Sequence, residues 1–203
     1  MENKKFSIII LAAGLSKRLG QAKQLLQLDG QSLIQKAATI AVSVSPMDVV
    51  IVLGHYADQV DKELEGLNVS TAFNQDYKQG MGSSIKCGLQ SALRLCNNLD
   101  GVLIMVCDQP FLSSKHLFDL LSKWQSSDSL IVASQYNGRL GVPAIYDQKL
   151  FPELLELKGD TGGKKVIFNH INKTTFVSFE EGKTDIDTLE DYRKIKETHK
   201  KSP

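Results

Sequence analysis

Three short apolar runs constrain the fold of this 203-residue chain more than any other feature. Ile8-Ile9-Ile10-Leu11, Val49-Val50-Ile51-Val52-Leu53 and Gly101-Val102-Leu103-Ile104-Met105-Val106 contain no polar side chain and are rich in β-branched residues. A strand with one wet face alternates apolar and polar residues. One that is apolar at every position is covered on both faces, as in a parallel sheet between helices. The intervening segments agree. Leu33 to Val44, Ala57 to Leu64, Ser83 to Leu95 and Ser113 to Trp124 carry apolar residues at helical spacing, the last with Ser113 or Ser114 as its cap. Val69 to Phe73 reads as a further strand. The pattern predicts an α/β fold, a three-layer sandwich with a mostly parallel central sheet.

The remainder is less regular. Leu130 to Ser134 and Val142 to Tyr146 read as strands paired across the Asn137-Gly138 turn. Leu150 to Leu157 and Gly163 to Asn169 read as short helices around the Gly159–Gly163 turn, Thr174 to Phe179 as a strand, and Leu189 to Thr198 as a closing amphipathic helix before a frayed tail, Lys200 to Pro203. No repeat, low-complexity stretch or linker interrupts this order, so residues 1–203 are expected to form a single domain.

Composition narrows the partners. A net charge of +1 gives no reason to expect nucleic acid or an anionic membrane. No apolar stretch approaches the roughly 20 residues needed to span a bilayer, and no secretory leader is expected ahead of Phe6, so the expected location is cytoplasmic. Cys87, Cys96 and Cys107 form no C-x-x-C pair and are expected as three buried free thiols. His55, His116, His170 and His199 have no metal-ligand spacing, and His116 and His199 are expected on helix surfaces.

Ligands of such sheets bind beyond the carboxyl ends of the strands. Three segments are therefore expected to share one crevice: the Gly14–Lys23 loop, residues 74–84, and Cys107-Asp108-Gln109-Pro110. In the first, small residues let backbone N–H groups approach an anion while Arg18 and Lys23 add charge. It matches neither of the common nucleotide loops. In the second, Gly80-Met81-Gly82-Ser83-Ser84 opens a helix that Ser83 would cap. In the third, Asp108 follows the most apolar strand, where a carboxylate can hold Mg²⁺ among phosphate oxygens. Gly159-Asp160-Thr161-Gly162-Gly163-Lys164 is a second flexible basic turn. Asp187 and Glu190 have the spacing of a capping box, and Asp185 would point to the same side as Asp187, so either could be a second metal ligand facing Asp108. Each feature also has a structural explanation as a turn, a cap or a solvated loop.

Taken together, the motifs resemble a known family. Leu11-Ala12-Ala13-Gly14-x-Ser16-x-Arg18-Leu19-Gly20-x-x-Lys23 resembles the signature loop of Rossmann-like nucleotidyltransferases. With Gly80-Met81-Gly82-Ser83-Ser84, Asp108-Gln109-Pro110-Phe111, Gly141-Val142-Pro143, Phe151-Pro152-Glu153, Gly159-Asp160-x-Gly162 and Asp185-Ile186-Asp187-Thr188-x-Glu190-Asp191, it is similar to the molybdenum cofactor cytidylyltransferases, relatives of the guanylyltransferases. The resemblance implies a nucleotide-diphospho-sugar transferase-like fold and transfer of CMP from CTP (or GMP from GTP) to molybdopterin, with Mg²⁺ as cofactor and pyrophosphate released. It implies Arg18, Lys23 and Asp108 as catalytic residues, and Leu11, Ala12, Ala13, Gly14, Arg18, Lys23, Gly82 and Ser83 around the nucleotide. Asp108, Asp185 and Asp187 would bind metal, and Gly159, Asp160, Thr161, Gly162 and Lys164 the acceptor. A recipient molybdoenzyme or its chaperone is among the partners left open. Leu19 replaces a usual methionine, Leu189 a usual proline, and the Gly159–Lys164 turn lacks the family's arginine. Another small-phosphate nucleotidyltransferase and a non-catalytic molybdenum cofactor chaperone are the alternatives; Arg18, Lys23 and Asp108 together favour the enzyme.

Overall fold

The computed structural model of the chain describes residues 4–199, so the expectation for the tail Lys200–Pro203 lies outside the described residues. Its elements in order are β1 (Phe6–Leu11), β2 (Gln27–Leu28), β3 (Gln31–Ser32), α1 (Leu33–Ser43), β4 (Val49–Leu53), α2 (Ala57–Lys62), β5 (Ser70–Phe73), α3 (Met81–Leu95), β6 (Gly101–Val106), α4 (Ser114–Gln125), β7 (Ile131–Tyr136), β8 (Arg139–Asp147), α5 (Phe151–Leu155), α6 (Gly163–Asn169), β9 (Thr174–Ser178) and α7 (Leu189–His199). Seven strands form one sheet in the order β5-β4-β1-β6-β8-β7-β9. β5, β4, β1 and β6 pair in parallel, β8 runs antiparallel to both β6 and β7, and β9 is parallel to β7.

The unbroken apolar strands fill both faces. Ile8 and Ile10 of β1 pack with α1, α2 and α4 through Ile34, Ala38, Val60, Leu117 and Trp124. Ile9 faces the other way, against Ile85 and Leu89 of α3, Leu154 of α5 and Val166 of α6. Each residue along the strand thus buries a side chain on alternate sides, giving the three layers expected. A Leu-sized side chain buried in this way is worth about 2 kcal/mol. The hairpin between β7 and β8 turns on Asn137 and Gly138, both with positive φ (50° and 68°), the backbone that a two-residue turn of this kind demands. No helix among the described residues is long and apolar enough to cross a membrane.

Several local expectations are corrected. α3 begins at Met81 with Gly80 as its cap, so Ser83 lies inside the first turn; its Oγ donates to the carbonyls of Gly80 and Asp76 at 2.8 and 2.9 Å. α7 is capped one residue later than the Asp187–Glu190 spacing suggests. Asp191 N–H donates to Thr188 Oγ1 at 3.2 Å and Thr188 N–H donates to the Asp191 carboxylate at 2.9 Å, which leaves Asp187 free for other work. His116 is buried, not on a surface: its Nε2 lies 2.7 Å from Ser134 Oγ and its ring stacks on Phe179. Ser134 Oγ donates to the Pro143 carbonyl, so the imidazole nitrogen carries the proton between them. The side chain of His199 lies outside the described residues. Of the cysteines, which are all free, Cys107 alone is buried; Cys87 and Cys96 are half-exposed. Burial, reinforced by the Asp108 charge, pushes the Cys107 thiol up to about 12, so it stays protonated and inert.

Candidate active site

Local backbone chemistry shapes the loop after β1 before charge is considered. Ser16 takes a left-handed conformation (φ 48°), and its carbonyl accepts from Leu19 N–H at 3.0 Å and Gly20 N–H at 3.1 Å. Ser16 Oγ accepts from Lys23 N–H at 3.2 Å, tying the two ends of the bend. Gln24, a buried side chain that sequence reasoning missed, donates Nε2 to the carbonyls of Ala12 at 2.7 Å and Gly14 at 3.3 Å. The only signal for Gln24 was its place beside Lys23. Leu19 is anchored in a small apolar cluster with Leu26, Leu28, Leu33, Ile186 and Ile195.

Ile186 carries the C-terminal acidic segment to this loop. Its side chain is fully buried in the cluster, and its N–H donates to the Asp108 carbonyl at 3.0 Å. That bond brings Asp187 beside the end of β6. Lys23 then sits between two carboxylates, with Nζ 2.6 Å from Asp108 Oδ2 and 3.0 Å from Asp187 Oδ1. Arg18 Nη2 reaches the other oxygen of Asp187 at 3.0 Å. Lys23 and Asp108 side chains are only 18% and 19% exposed, whereas Arg18 is 71% exposed. The inner pair is therefore the strong one, and the outer contact is readily exchanged. Burial works against the Lys23 charge, but Asp108 and then Asp187 outweigh it, holding the ammonium above the usual lysine range. Asp185 is outside this network. Burial first, then the nearby charges of Asp108 and Asp187, push its carboxyl up to about 6.

A cleft of about 470 Å³ opens over these groups. Of the residues singled out from sequence, it brings together Leu11, Ala13, Gly14, Arg18, Lys23, Asp108, Asp160 and Asp187. It leaves out others. Ala12 is buried beneath the loop, and Gly82 is packed against the Leu157–Lys158 backbone. Ser83 and Gly159 face a larger hollow of about 730 Å³ along the outer face of α3, which contains none of the Lys23, Asp108 and Asp187 set. Ser84, not Ser83, lines the cleft. Thr161, Gly162, Lys164 and Asp185 do not line it, although Lys164 is close enough to Asp185 to pull its carboxyl pKa down. Asp160, expected at the acceptor, lines the cleft beside Gly80. Among the described residues no three His, Cys, Asp or Glu side chains are preassembled for a metal, and Lys23 lies between Asp108 and Asp187.

A strand-end loop with paired cations, facing a rim carboxylate across an open cleft, is an arrangement for handling a polyanion and its counter-ion. The family model for the MobA-like NTP transferase domain matches residues 8–174. The chain belongs to this family. Asp185 and Asp187 lie beyond the matched span of the MobA-like domain. The chain is 30% identical over 168 residues to the purine catabolism protein PucB of Bacillus subtilis, covering 78% of each. It is 32% identical over 168 residues to nicotine blue oxidoreductase of Paenarthrobacter nicotinovorans, covering 77% of this chain and 78% of that one. Among solved structures, a Mycobacterium tuberculosis protein crystallised as a complex with manganese superposes with a TM-score of 0.79 at 22% identity, over 96% of this chain and 100% of the other. At that identity the likeness shows the fold alone.

Proposed function

We propose that the chain is a Mg²⁺-dependent cytidylyltransferase that moves CMP from CTP to the terminal phosphate of molybdopterin and releases pyrophosphate. The observation that carries nucleotidyl transfer is the Lys23 network. In the free protein Arg18 and Lys23 neutralise Asp187 and Asp108 inside an open cleft. A metal–triphosphate complex presents the complementary set: phosphate oxygens for the two cations, and a metal for the two carboxylates. Each charge exchanges one partner for another, so entry of the substrate strands none of them.

The donor set fits the metal. Magnesium takes one or two carboxylates and completes its octahedron with phosphate oxygens and water, so Asp108 and Asp187 suffice, with Asp185 nearby. Burial first, and then the charges of Asp108 and Asp187, hold the Asp185 carboxyl up, and a divalent cation beside it would favour its ionised form. When bound, the ion would draw charge from the triphosphate. The chain's own residues do the rest. The loop N–H groups around Gly14 close on phosphate oxygens, while Lys23 and Arg18 neutralise the charge that builds on the departing pyrophosphate. An acceptor phosphate oxygen attacks the α-phosphorus in line, and the bond to the bridging oxygen of pyrophosphate breaks. The acceptor is already anionic, so no strong base is required.

The Ala12-Ala13 form of the loop supports cytidine, and the order of the motifs along the chain, taken as a set, supports molybdopterin. The test is pyrophosphate release from each of the four triphosphates, with and without molybdopterin. Release with CTP and molybdopterin together is expected. Release with GTP instead would make the chain a guanylyltransferase. Binding of molybdopterin without any release would make it a carrier, and redox turnover, the activity in the name of one relative, would replace the proposal altogether.

A further inference from the structure

Three carboxylates line the cleft, and two of them are neutralised. Asp108 and Asp187 bind Lys23 and Arg18, whereas Asp160 has no ion pair among the described residues. A bare carboxylate in a cleft built for phosphates repels them and suits a part of the ligand that offers hydrogen-bond donors. We infer that Asp160 reads the nucleobase by accepting a hydrogen bond from its exocyclic amine, and so selects an amino-bearing base over its keto counterpart. This rests on the nucleotidyltransferase proposal and gives the Gly159–Gly163 turn a role other than acceptor binding.

A backbone bond and a close glycine contact fix the turn against α3. Gly82 N–H donates to the Gly159 carbonyl at 3.0 Å, locking the tip of the turn onto the start of α3. Gly80 (φ +104°) and Gly159 (φ +59°) adopt backbones that other residues rarely take, and this lets the two segments touch. A Cβ on Gly80 would lie 2.4 Å from the Gly159 carbonyl carbon and 2.6 Å from Asp160 Oδ1. The same cleft carries aromatic and apolar side chains. Tyr77 and Met81 also line the cleft, and Met81 Sδ packs over Gly162. Lys78 lines the cleft as well, but its Nζ lies 5.8 Å from the Tyr77 ring and makes no ion pair with Asp160. A carboxylate in the same cleft as a tyrosine and a methionine suits the edge of a stacked heterocycle.

CTP and UTP differ at one point, where the amino donor of cytosine becomes a carbonyl acceptor. Both are titrated into the Mg²⁺-loaded protein by calorimetry, and turnover is measured with each. The wild-type protein is expected to bind CTP at least about tenfold more tightly than UTP, the value of one hydrogen bond to a charged group. In Asp160→Asn the ratio is expected to fall below about twofold because UTP binds more tightly, with the acceptor KM unchanged. A gain for UTP cannot come from misfolding. An unchanged CTP:UTP ratio in the variant, no discrimination by the wild type, or a raised acceptor KM with the ratio intact each overturns the inference and leaves nucleotidyl transfer standing. A folded wild-type protein that binds no triphosphate overturns both.

Discussion

Replacing Lys23 with methionine keeps the length and apolar stem of the side chain and removes only its charge. The structure gives the size of the effect. Lys23 Nζ is the sole bonded cation on Asp108 among the described residues, at 2.6 Å, and shares Asp187, at 3.0 Å, with Arg18. Removing one member of a fully buried pair costs about 3–5 kcal/mol, because the abandoned charge stays desolvated. Here the Lys23 and Asp108 side chains retain 18% and 19% exposure and Asp187 retains 37%, so water screens part of that penalty. We expect Lys23→Met to lose about 2 kcal/mol, or roughly 4–8 °C in melting temperature for a chain of this size. The variant also leaves Asp108 and Asp187 facing each other with room for a cation. Millimolar Mg²⁺ should therefore return about 1 kcal/mol to Lys23→Met and distinctly less to the wild type, in which the ammonium competes for the same oxygens. Scanning calorimetry with and without Mg²⁺ measures both, with Lys115→Met as a control at an exposed helical pair. Equal Mg²⁺ stabilisation of both proteins, or no loss on removing Lys23, would refute the argument that this lysine occupies a latent metal position.

The remaining predictions concern turnover and pH. Asp108→Ala should lower pyrophosphate release at least about 100-fold at saturating Mg²⁺ while circular dichroism stays unchanged, because only the rim carboxylate is lost. His116 is held neutral by burial, its pKa lowered from 6.5 to about 4. Its contribution is complete above pH 6.5 and declines as pH falls towards 4, by about 3 kcal/mol in all, as the unfolded chain takes up a proton the folded one refuses. Urea midpoints across this range should show the slope, and His116→Phe should flatten it. Asp185 behaves in the opposite sense: with its carboxyl raised from 3.8 to about 6, stability falls as pH rises through that window and the loss persists at pH 7. Asp185→Asn should therefore stabilise the metal-free protein at pH 7, by about 1 kcal/mol once solvent screening of this partly covered side chain is allowed for, and give no gain at pH 3.

What the sequence conveyed and what it withheld divide along the range of the interactions. The buried strands and the order of helices were legible because the apolar runs Ile8–Leu11 of β1, Val49–Leu53 of β4 and Gly101–Val106 of β6 advertise two covered faces; the Gly101–Val106 strand and the Gly163–Asn169 helix are bounded as expected. The Asn137-Gly138 hairpin was legible because the turn chemistry is local. The two-residue strands β2 and β3 were missed, being too short to carry a periodicity. Ser83 was misplaced because Gly80 starts the helix from a backbone that no spacing reveals, and the α7 cap slipped by one because Thr188 and Asp191 answer each other more closely than Asp187 and Glu190. Asp108, Arg18 and Lys23 could be gathered from the rule that ligands bind at strand ends. The meeting of Asp187 with Lys23 depends on the Ile186 N–H to Asp108 carbonyl bond, and the entry of Asp160 into the cleft depends on glycine contacts across about 80 positions of the chain. Neither leaves a mark on any short stretch.

The most direct test of the account is the position of Lys23 Nζ in a structure of the protein with CTP and Mg²⁺. The account predicts that the 2.6 Å contact with Asp108 opens beyond about 4 Å, with the ammonium on a phosphate oxygen and the carboxylate on the metal. A nucleotide seated elsewhere, with the Lys23–Asp108 pair intact beneath an empty cleft, would contradict it.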